Sequence, residues 1–160
     1  DQIFKKTFLK NVKKISKYFY QELIQIKMDN PKLPYILGID VGTALSTAYH
    51  RLILVVGPAR SGKTAELRTL AEKHSWPLLN INLSLSERLL RLTSRQRSLR
   101  LPEIIDEITN QSNAPVLILD NIEILFSPVL QQDPLRLLQS LSRNRKLVLT
   151  SGSDSCLIIR

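Results

Sequence analysis

Residues 57 to 64 have the types and the spacing of a phosphate-binding loop. They are Gly57, Pro58, Ala59, Arg60, Ser61, Gly62, Lys63 and Thr64, and they match the template G-x-x-x-x-G-K-[ST] at every fixed position. Backbone N–H groups of such a loop point at an anion, and the helix that follows adds partial positive charge. Lys63 is predicted to reach the β- and γ-phosphates of a nucleotide, and the Thr64 hydroxyl to ligate Mg²⁺. We expect ATP and Mg²⁺ here, although the loop does not distinguish ATP from GTP.

A second candidate metal ligand is the acid that ends an apolar segment. Residues 116–119 are Val-Leu-Ile-Leu, and Asp120 follows them. At the carboxyl edge of a parallel sheet, Asp120 would face the phosphates and hold Mg²⁺, usually through water. The competing interpretation is an acid that caps a turn at the end of a strand.

The residue that would activate water is less clear from the sequence. In the additional-strand branch of P-loop ATPases a glutamate follows the metal-binding acid, whereas this chain has Asn121, and Glu123 is the nearest glutamate. Either Glu123 acts as the base, or Asn121 orients the water, or the nucleotide is hydrolysed slowly; we favour weak hydrolysis. Thr150, at the end of a predicted strand, resembles the polar residue that contacts the γ-phosphate, but it could equally satisfy a strand end.

Two groups of arginines have no assigned partner in the sequence. Arg95, Arg97 and Arg100 fall in a predicted loop, and Arg143 and Arg145 follow a predicted helix, near the expected nucleotide edge of the sheet. An arginine supplied by a neighbouring molecule can accelerate hydrolysis, which would require a homo-oligomer. The same side chains could bind a nucleic-acid backbone or be solvated surface, and these three interpretations stay open.

Alternating strand and helix patterns must position these residues. The predicted strands are residues 51–56, 78–83, 116–119 and 146–150. The predicted helices are residues 41–49 after an Asp40 cap, 64–76, 85–92 after a Ser84 cap, 102–111 with Pro102 in the first turn, and 134–141 after Asp133. This alternation predicts a P-loop NTPase-like three-layer α/β sandwich with a mostly parallel sheet.

An amphipathic helix is expected to precede that domain. Apolar residues recur every three or four positions, at Phe4, Phe8, Val12, Ile15, Phe19, Leu23 and Ile26. We therefore divide the chain into a basic helix with a Pro-containing linker, residues 1–35, and a P-loop domain, residues 36–160. Met28 is the only methionine, so residues 1–27 could be an upstream extension. A further strand is expected after Arg160, so the chain could also be truncated there.

The composition restricts the class of protein and its partners. The chain has 160 residues, a formal net charge of +9 and one cysteine, which excludes an internal disulfide and fits a cytoplasmic protein. No apolar run approaches the roughly 18–20 residues that span a bilayer, so no transmembrane segment is expected. The basic balance favours polyanions such as DNA.

Residues 49–146 resemble the small P-loop protein of type 3 bacteriophage-exclusion (BREX) phage-defence systems. The resemblance is carried by residues 49–57, 92–97, 119–126, 132–139 and 141–145. It implies a cytoplasmic bacterial protein that works beside a methyltransferase and other, larger defence proteins against phage DNA.

Three functions are therefore in competition. The first is a weakly hydrolysing ATPase in a defence complex, the second a nucleotide-switched adaptor without enzymatic output, and the third a small P-loop phosphotransferase. Strand order separates the first from the third, because an additional strand between the P-loop strand and the Asp120 strand favours the ATPase branch. Turnover without an acceptor separates the first from the second.

Overall fold

The computed structural model describes residues 24–27, 41–47, 49–56 and 60–150. The strands in these ranges are β1 (Ile24–Lys27), β2 (Leu52–Val56), β3 (Leu78–Asn80), β4 (Val116–Asp120) and β5 (Lys146–Thr150). The helices are α1 (Val41–Thr47), α2 (Lys63–His74), α3 (Ile81–Leu89), α4 (Ser94–Thr109) and α5 (Pro134–Asn144). Two short 3-10 helices, Ile122–Phe126 and Pro128–Leu130, follow β4.

The strands form one sheet in the order β1-β2-β5-β4-β3, and each neighbouring pair is parallel. A mixed α/β architecture with a parallel sheet was expected from the alternation of patterns, and it is confirmed. The strand β5, last in the chain among those described, lies between β2 and β4. All the carboxyl ends of the strands therefore meet at one edge, and the ends of β2, β5 and β4 are consecutive along it.

The two faces of the sheet are packed by different kinds of side chain. The fully buried strand residues of one face are all β-branched, and with the partly buried Leu78 of β3 they pack with α1 and α2; they are Ile53, Val55, Val116, Ile118 and Val148. The other face carries only leucines, Leu52, Leu54, Leu117, Leu119, Leu147 and Leu149, which pack with α3, α4, α5 and the 3-10 helices. Helices thus cover both faces, and the strict alternation fixes which face each strand-end residue occupies.

The prediction of an N-terminal helix is wrong for residues 24–27. Ile24–Lys27 forms β1, which pairs in parallel with β2, Ile24 opposite Ile53 and Lys27 opposite Val56. The segment reads Ile-Gln-Ile-Lys, and over four residues this alternation cannot be told from one turn of a helical pattern. The rest of the predicted helix and the linker through Asp40 lie outside the described residues, as does the segment after Thr150.

The crossover between β3 and β4 differs most from its prediction. The predicted strand 78–83 ends at Asn80, whose side chain caps α3 by accepting the Leu83 N–H at 3.0 Å, so Ser84 lies within the helix rather than at its cap. The predicted loop before residue 102 is the first half of α4. Thr93 and Gln96 form a capping box there, a start signal that the sequence contains but that Pro102 masked.

Pro102 therefore lies inside α4, where proline is normally unfavourable. It cannot donate a hydrogen bond to the Ser98 carbonyl four residues earlier. The side-chain amide of Gln132 donates to that carbonyl instead, at 2.7 Å. A side chain from the loop before α5 thus replaces the missing backbone bond, which lets the helix continue through the proline.

Candidate functional site

The described part of the predicted phosphate-binding loop is a tight turn. Gly57, Pro58 and Ala59 lie outside the described residues. Arg60 and Gly62 both have left-handed φ angles, 60° and 87°. Gly62 has open space where a Cβ would lie, so its positive φ is the reason that glycine suits the position.

Lys63 begins α2 with its side chain turned into the protein. It is only 5 % exposed, and its Nζ donates to the buried Ser61 hydroxyl at 3.2 Å. Gly62 supplies no side-chain cap, and the first backbone bond across the helix start joins the Glu66 N–H to the Gly62 carbonyl. The backbone amides of residues 63–65 therefore point out of the helix end, where they and the helix dipole favour an anion. Thr64 is exposed at the same end.

Asp120 ends β4 on the face of the sheet that α2 covers. Strand alternation places it on the same side as Val116 and Ile118. It is 4 % exposed, and its Oδ1 accepts the backbone N–H of Asn121 at 3.0 Å. Asn121 has a φ of 57°, a conformation that asparagine tolerates better than most residues, and it turns the chain away from the sheet.

Thr150 occupies the middle of this edge. It pairs with Val55 of β2, and it is one residue beyond the Leu119–Leu149 pair that joins β4 to β5, so it neighbours Asp120 on the same face. Its exposure is 0 %, and its Oγ1 makes no hydrogen bond to any residue in the described ranges. A buried hydroxyl without a partner costs roughly 1–3 kcal/mol, and a ligand or a water would remove that cost.

The two candidates for activating water follow Asp120 closely. Asn121 is half-buried at the strand end, and Glu123 is half-buried in the first 3-10 helix. The amide of Asn121 can orient a water but cannot remove its proton, whereas the Glu123 carboxylate can. The arrangement therefore offers a positioning group next to Asp120 and a potential base one step further away.

Among the described residues, no group of three or more His, Cys, Asp or Glu side chains could hold a metal ion. Mg²⁺ bound with a nucleotide usually takes only one or two protein oxygens and completes its shell with phosphates and waters. Asp120 and Thr64 are the oxygen donors that the sequence predicted for this metal, and their chemistry fits Mg²⁺ bound together with a nucleotide.

The arginines are not where the sequence placed them. Arg95, Arg97 and Arg100 lie on α4 rather than in a loop, and the Arg97 Nε donates to the carbonyls of Leu89 and Leu92 at 2.8 and 3.0 Å. Arg97 therefore satisfies carbonyls at the end of α3, which is a structural role.

The expectation that Arg143 and Arg145 lie near the nucleotide edge is wrong. They precede Lys146, the first residue of β5, so they lie at the edge where strands begin. Arg145 donates to the Ser112 carbonyl and to Asn110 Oδ1, the latter at 2.8 Å. These bonds fix the α4–β4 loop to the start of β5.

Sequence reasoning overlooked Glu66, in the first turn of α2. One of its carboxylate oxygens, Oε2, is buried and makes no hydrogen bond. Its position three residues after Lys63, on the side of α2 that adjoins the buried face, was the signal that could have identified it.

Comparison with protein-family models, with curated proteins and with solved structures gave no match in any of the three. None of the helices in the described ranges is long and apolar enough to cross a membrane.

Proposed function

We propose that the protein is a P-loop ATPase that binds Mg-ATP at the carboxyl edge of its sheet and hydrolyses it slowly. One observation carries the proposal: β5 is inserted between β2 and β4, and it presents the unpartnered hydroxyl of Thr150 beside Asp120. In a phosphotransferase of the kind considered above, β2 and β4 would be direct neighbours. The strand order therefore supports the ATPase interpretation over the phosphotransferase.

Each residue has a defined task in this proposal. Residues 60–62 and the start of α2 bind the phosphates through backbone N–H groups, and Lys63 supplies a point charge to the β- and γ-phosphates. Thr64 and Asp120 hold Mg²⁺, which neutralises charge that develops on the phosphates during transfer. Thr150 donates its hydroxyl to the γ-phosphate or to the attacking water, which gives the buried Oγ1 its partner.

Slow hydrolysis follows from the residue after Asp120. Asn121 can hold a water in line for attack, but proton removal falls to Glu123 or to the phosphate itself. A missing general base typically costs about 10²–10⁴-fold in rate. The same feature supports the alternative function, an adaptor that changes partners with bound nucleotide and does not need turnover.

The proposed setting is a cytoplasmic complex of bacterial anti-phage proteins. Its support is the sequence resemblance carried by residues 49–57, 92–97, 119–126, 132–139 and 141–145. The single cysteine, Cys156, is compatible with a reducing compartment.

Calorimetric titration of the purified protein with Mg-ATP tests the site. Lys63→Ala should abolish binding, because the variant removes the charge that the loop itself directs at the phosphates. Lys73→Ala is the matched control, since Lys73 is an exposed lysine at the other end of α2 and should leave affinity unchanged. Thermal melting of both variants without nucleotide verifies the fold.

Wild-type affinity in folded Lys63→Ala protein would contradict the proposed site. A second assay, phosphate release from Mg-ATP without any acceptor, distinguishes the ATPase from the nucleotide-switched adaptor. Measurable release supports the ATPase, and tight binding with none supports the adaptor.

A further inference from the structure

The edge of the sheet where the strands begin is rich in basic residues. The segments that lead into β2 and β5, residues 49–51 and 143–146, lie side by side because Leu52 pairs with Leu147. The Leu147 N–H donates to the Arg51 carbonyl at 2.9 Å, and the Arg51 guanidinium donates to the Arg143 carbonyl. We call these two segments the basic edge.

The basic edge carries four cations in seven residues and no acid. The cations are Arg51, Arg143, Arg145 and Lys146. The neighbouring stretches at this edge, residues 43–47, 73–77 and 110–115, contain no acid either and add Lys73. The adjacent acids Glu72 and Asp106 lie further back on α2 and α4, and Asp106 already accepts a hydrogen bond from Asn110 at 2.8 Å.

The hydrogen bonds that these cations make to described residues do not compensate their charge. Arg51 and Arg145 donate to backbone carbonyls and an amide oxygen, and the Lys146 Nζ donates to the Ser46 hydroxyl at 2.8 Å. All of these acceptors are neutral. Arg143 is exposed to solvent. The basic edge therefore keeps a net positive charge that a phosphate backbone can neutralise.

Two arginines of a cleft elsewhere on the surface differ, because they are paired with carboxylates. A cleft of ≈ 500 Å³ between α3 and α4 is also lined by arginines, but Arg88 pairs with Glu107 at 2.6 Å. Arg100, which also lines it, pairs with Glu103 at 3.2 Å. Two of the three arginines that line the cleft are thus paired with carboxylates, and Glu87 and Glu107 also line it, so its excess positive charge is smaller than that of the basic edge.

The basic edge also contains an exposed aromatic residue, Tyr49. Tyr49 is 78 % exposed, far more than is usual for so large an apolar ring. It meets His50 edge to face, with ring centroids 4.8 Å apart, and the His50 Nε2 lies 3.4 Å from the Gln139 side-chain nitrogen. The neighbouring imidazole restricts the tyrosine ring while most of it stays in solvent, which is the form of a stacking platform.

We propose that the basic edge binds single-stranded nucleic acid. Arg51, Arg143 and Lys146 take the phosphates, and a base stacks on Tyr49. A duplex fits less well, because its bases are already stacked on one another and offer no face to the tyrosine except at an end. Since this edge lies across the sheet from the proposed nucleotide site, both ligands can be bound at once.

Fluorescence anisotropy with a labelled oligothymidylate of about 20 nucleotides, at about 50 mM salt, tests the proposal. Arg143→Glu should lower the affinity by about tenfold or more and reduce the slope of log K against log salt by about 0.7 for each lost phosphate contact. Arg95→Glu is the matched control, an exposed arginine on α4, and should change the affinity by less than about twofold.

Tyr49→Ala separates stacking from charge. It should weaken binding about tenfold with an unchanged salt slope, whereas Tyr49→Phe should bind like the wild type. No binding at low salt, equal losses in Arg143→Glu and Arg95→Glu, or a Tyr49→Ala variant that binds like the wild type would overturn the proposal. Equal affinity for a duplex of the same length would also overturn it. Mg-ATP affinity of each variant, measured in parallel, keeps this result distinct from the proposed ATPase activity.

Discussion

Thr150 is the residue whose state in the structure is hardest to explain without a ligand. Folding has buried its hydroxyl completely and left it without a hydrogen bond. Valine would have filled the same space at lower cost, and Val148 does so two positions earlier on the same face. A polar group kept at an unfavourable position beside Asp120 is therefore strong support for a phosphate or a water at this edge.

Thr150→Val should raise the stability of the nucleotide-free protein and weaken its function. We expect the free energy of unfolding to rise by about 1 kcal/mol, because an unpaired buried hydroxyl is removed, and turnover to fall about tenfold. Thr109→Val is the matched control: this buried hydroxyl donates to the Ile105 and Asp106 carbonyls, both at 3.0 Å. The control should lose stability and keep nucleotide affinity. A destabilised Thr150→Val protein with normal turnover would show that the hydroxyl is structural.

Asp120→Asn tests the metal role of the acid at the same edge. The amide oxygen can still accept the Asn121 N–H, so the turn after β4 should survive. Binding of ATP with Mg²⁺ should fall by at least about tenfold, while binding in EDTA should change little, because the carboxylate acts through the metal. Isothermal titration under both conditions measures the difference. Equal losses with and without Mg²⁺ would argue against metal coordination.

At the scale of elements, prediction succeeded where one local signal dominated. Residues 146–150 form the predicted strand, and a helix starts at Pro134 as predicted, with Asp133 accepting the amides of Leu135 and Arg136. It failed in the crossover, where two start signals competed. Proline at residue 102 suggests a first turn, but Thr93 and Gln96 start the helix earlier, and only the folded protein shows the Gln132 bond that tolerates the proline.

The candidate site could likewise be predicted only where a local sequence pattern identifies the residue. The motif identified Lys63 and Thr64, and strand alternation explains why Asp120 faces α2. Strand pairing that is non-local in sequence places β5 between β2 and β4. The same pairing brings Thr150 beside Asp120. No pattern within a single segment encodes that order.

Pro102 and Gln132 should be energetically coupled. Gln132→Ala should lower the free energy of unfolding by about 1 kcal/mol, because it leaves the Ser98 carbonyl without a hydrogen-bond donor. Pro102→Ala restores an N–H that can reach that carbonyl, so in this background the same Gln132→Ala change should cost close to nothing. Urea unfolding of the four proteins in the cycle gives the coupling energy. The same cost in both backgrounds would mean that the Gln132 bond does not compensate for the proline.

At the scale of the whole molecule, the parallel sheet separates two chemically different edges. The carboxyl ends of the strands carry the proposed phosphate and metal ligands, and the amino ends carry the basic edge. The buried strand β5 joins them, with Lys146 at one end and Thr150 at the other. Five residues of strand span about 16 Å, so a side chain at one edge cannot serve the other within one molecule.

This separation changes the expected role of the arginines in hydrolysis. Arg143 could reach a nucleotide only if molecules stacked with the basic edge of one against the carboxyl edge of the next. We expect no such requirement: turnover per molecule should be constant over about a hundredfold range of protein concentration, and Arg143→Ala should not change it. A malachite-green assay of phosphate release from saturating Mg-ATP measures both. Turnover that rises with concentration, and loses that rise in Arg143→Ala, would instead show that a neighbour's basic edge completes the site, and that the protein works as a head-to-tail assembly.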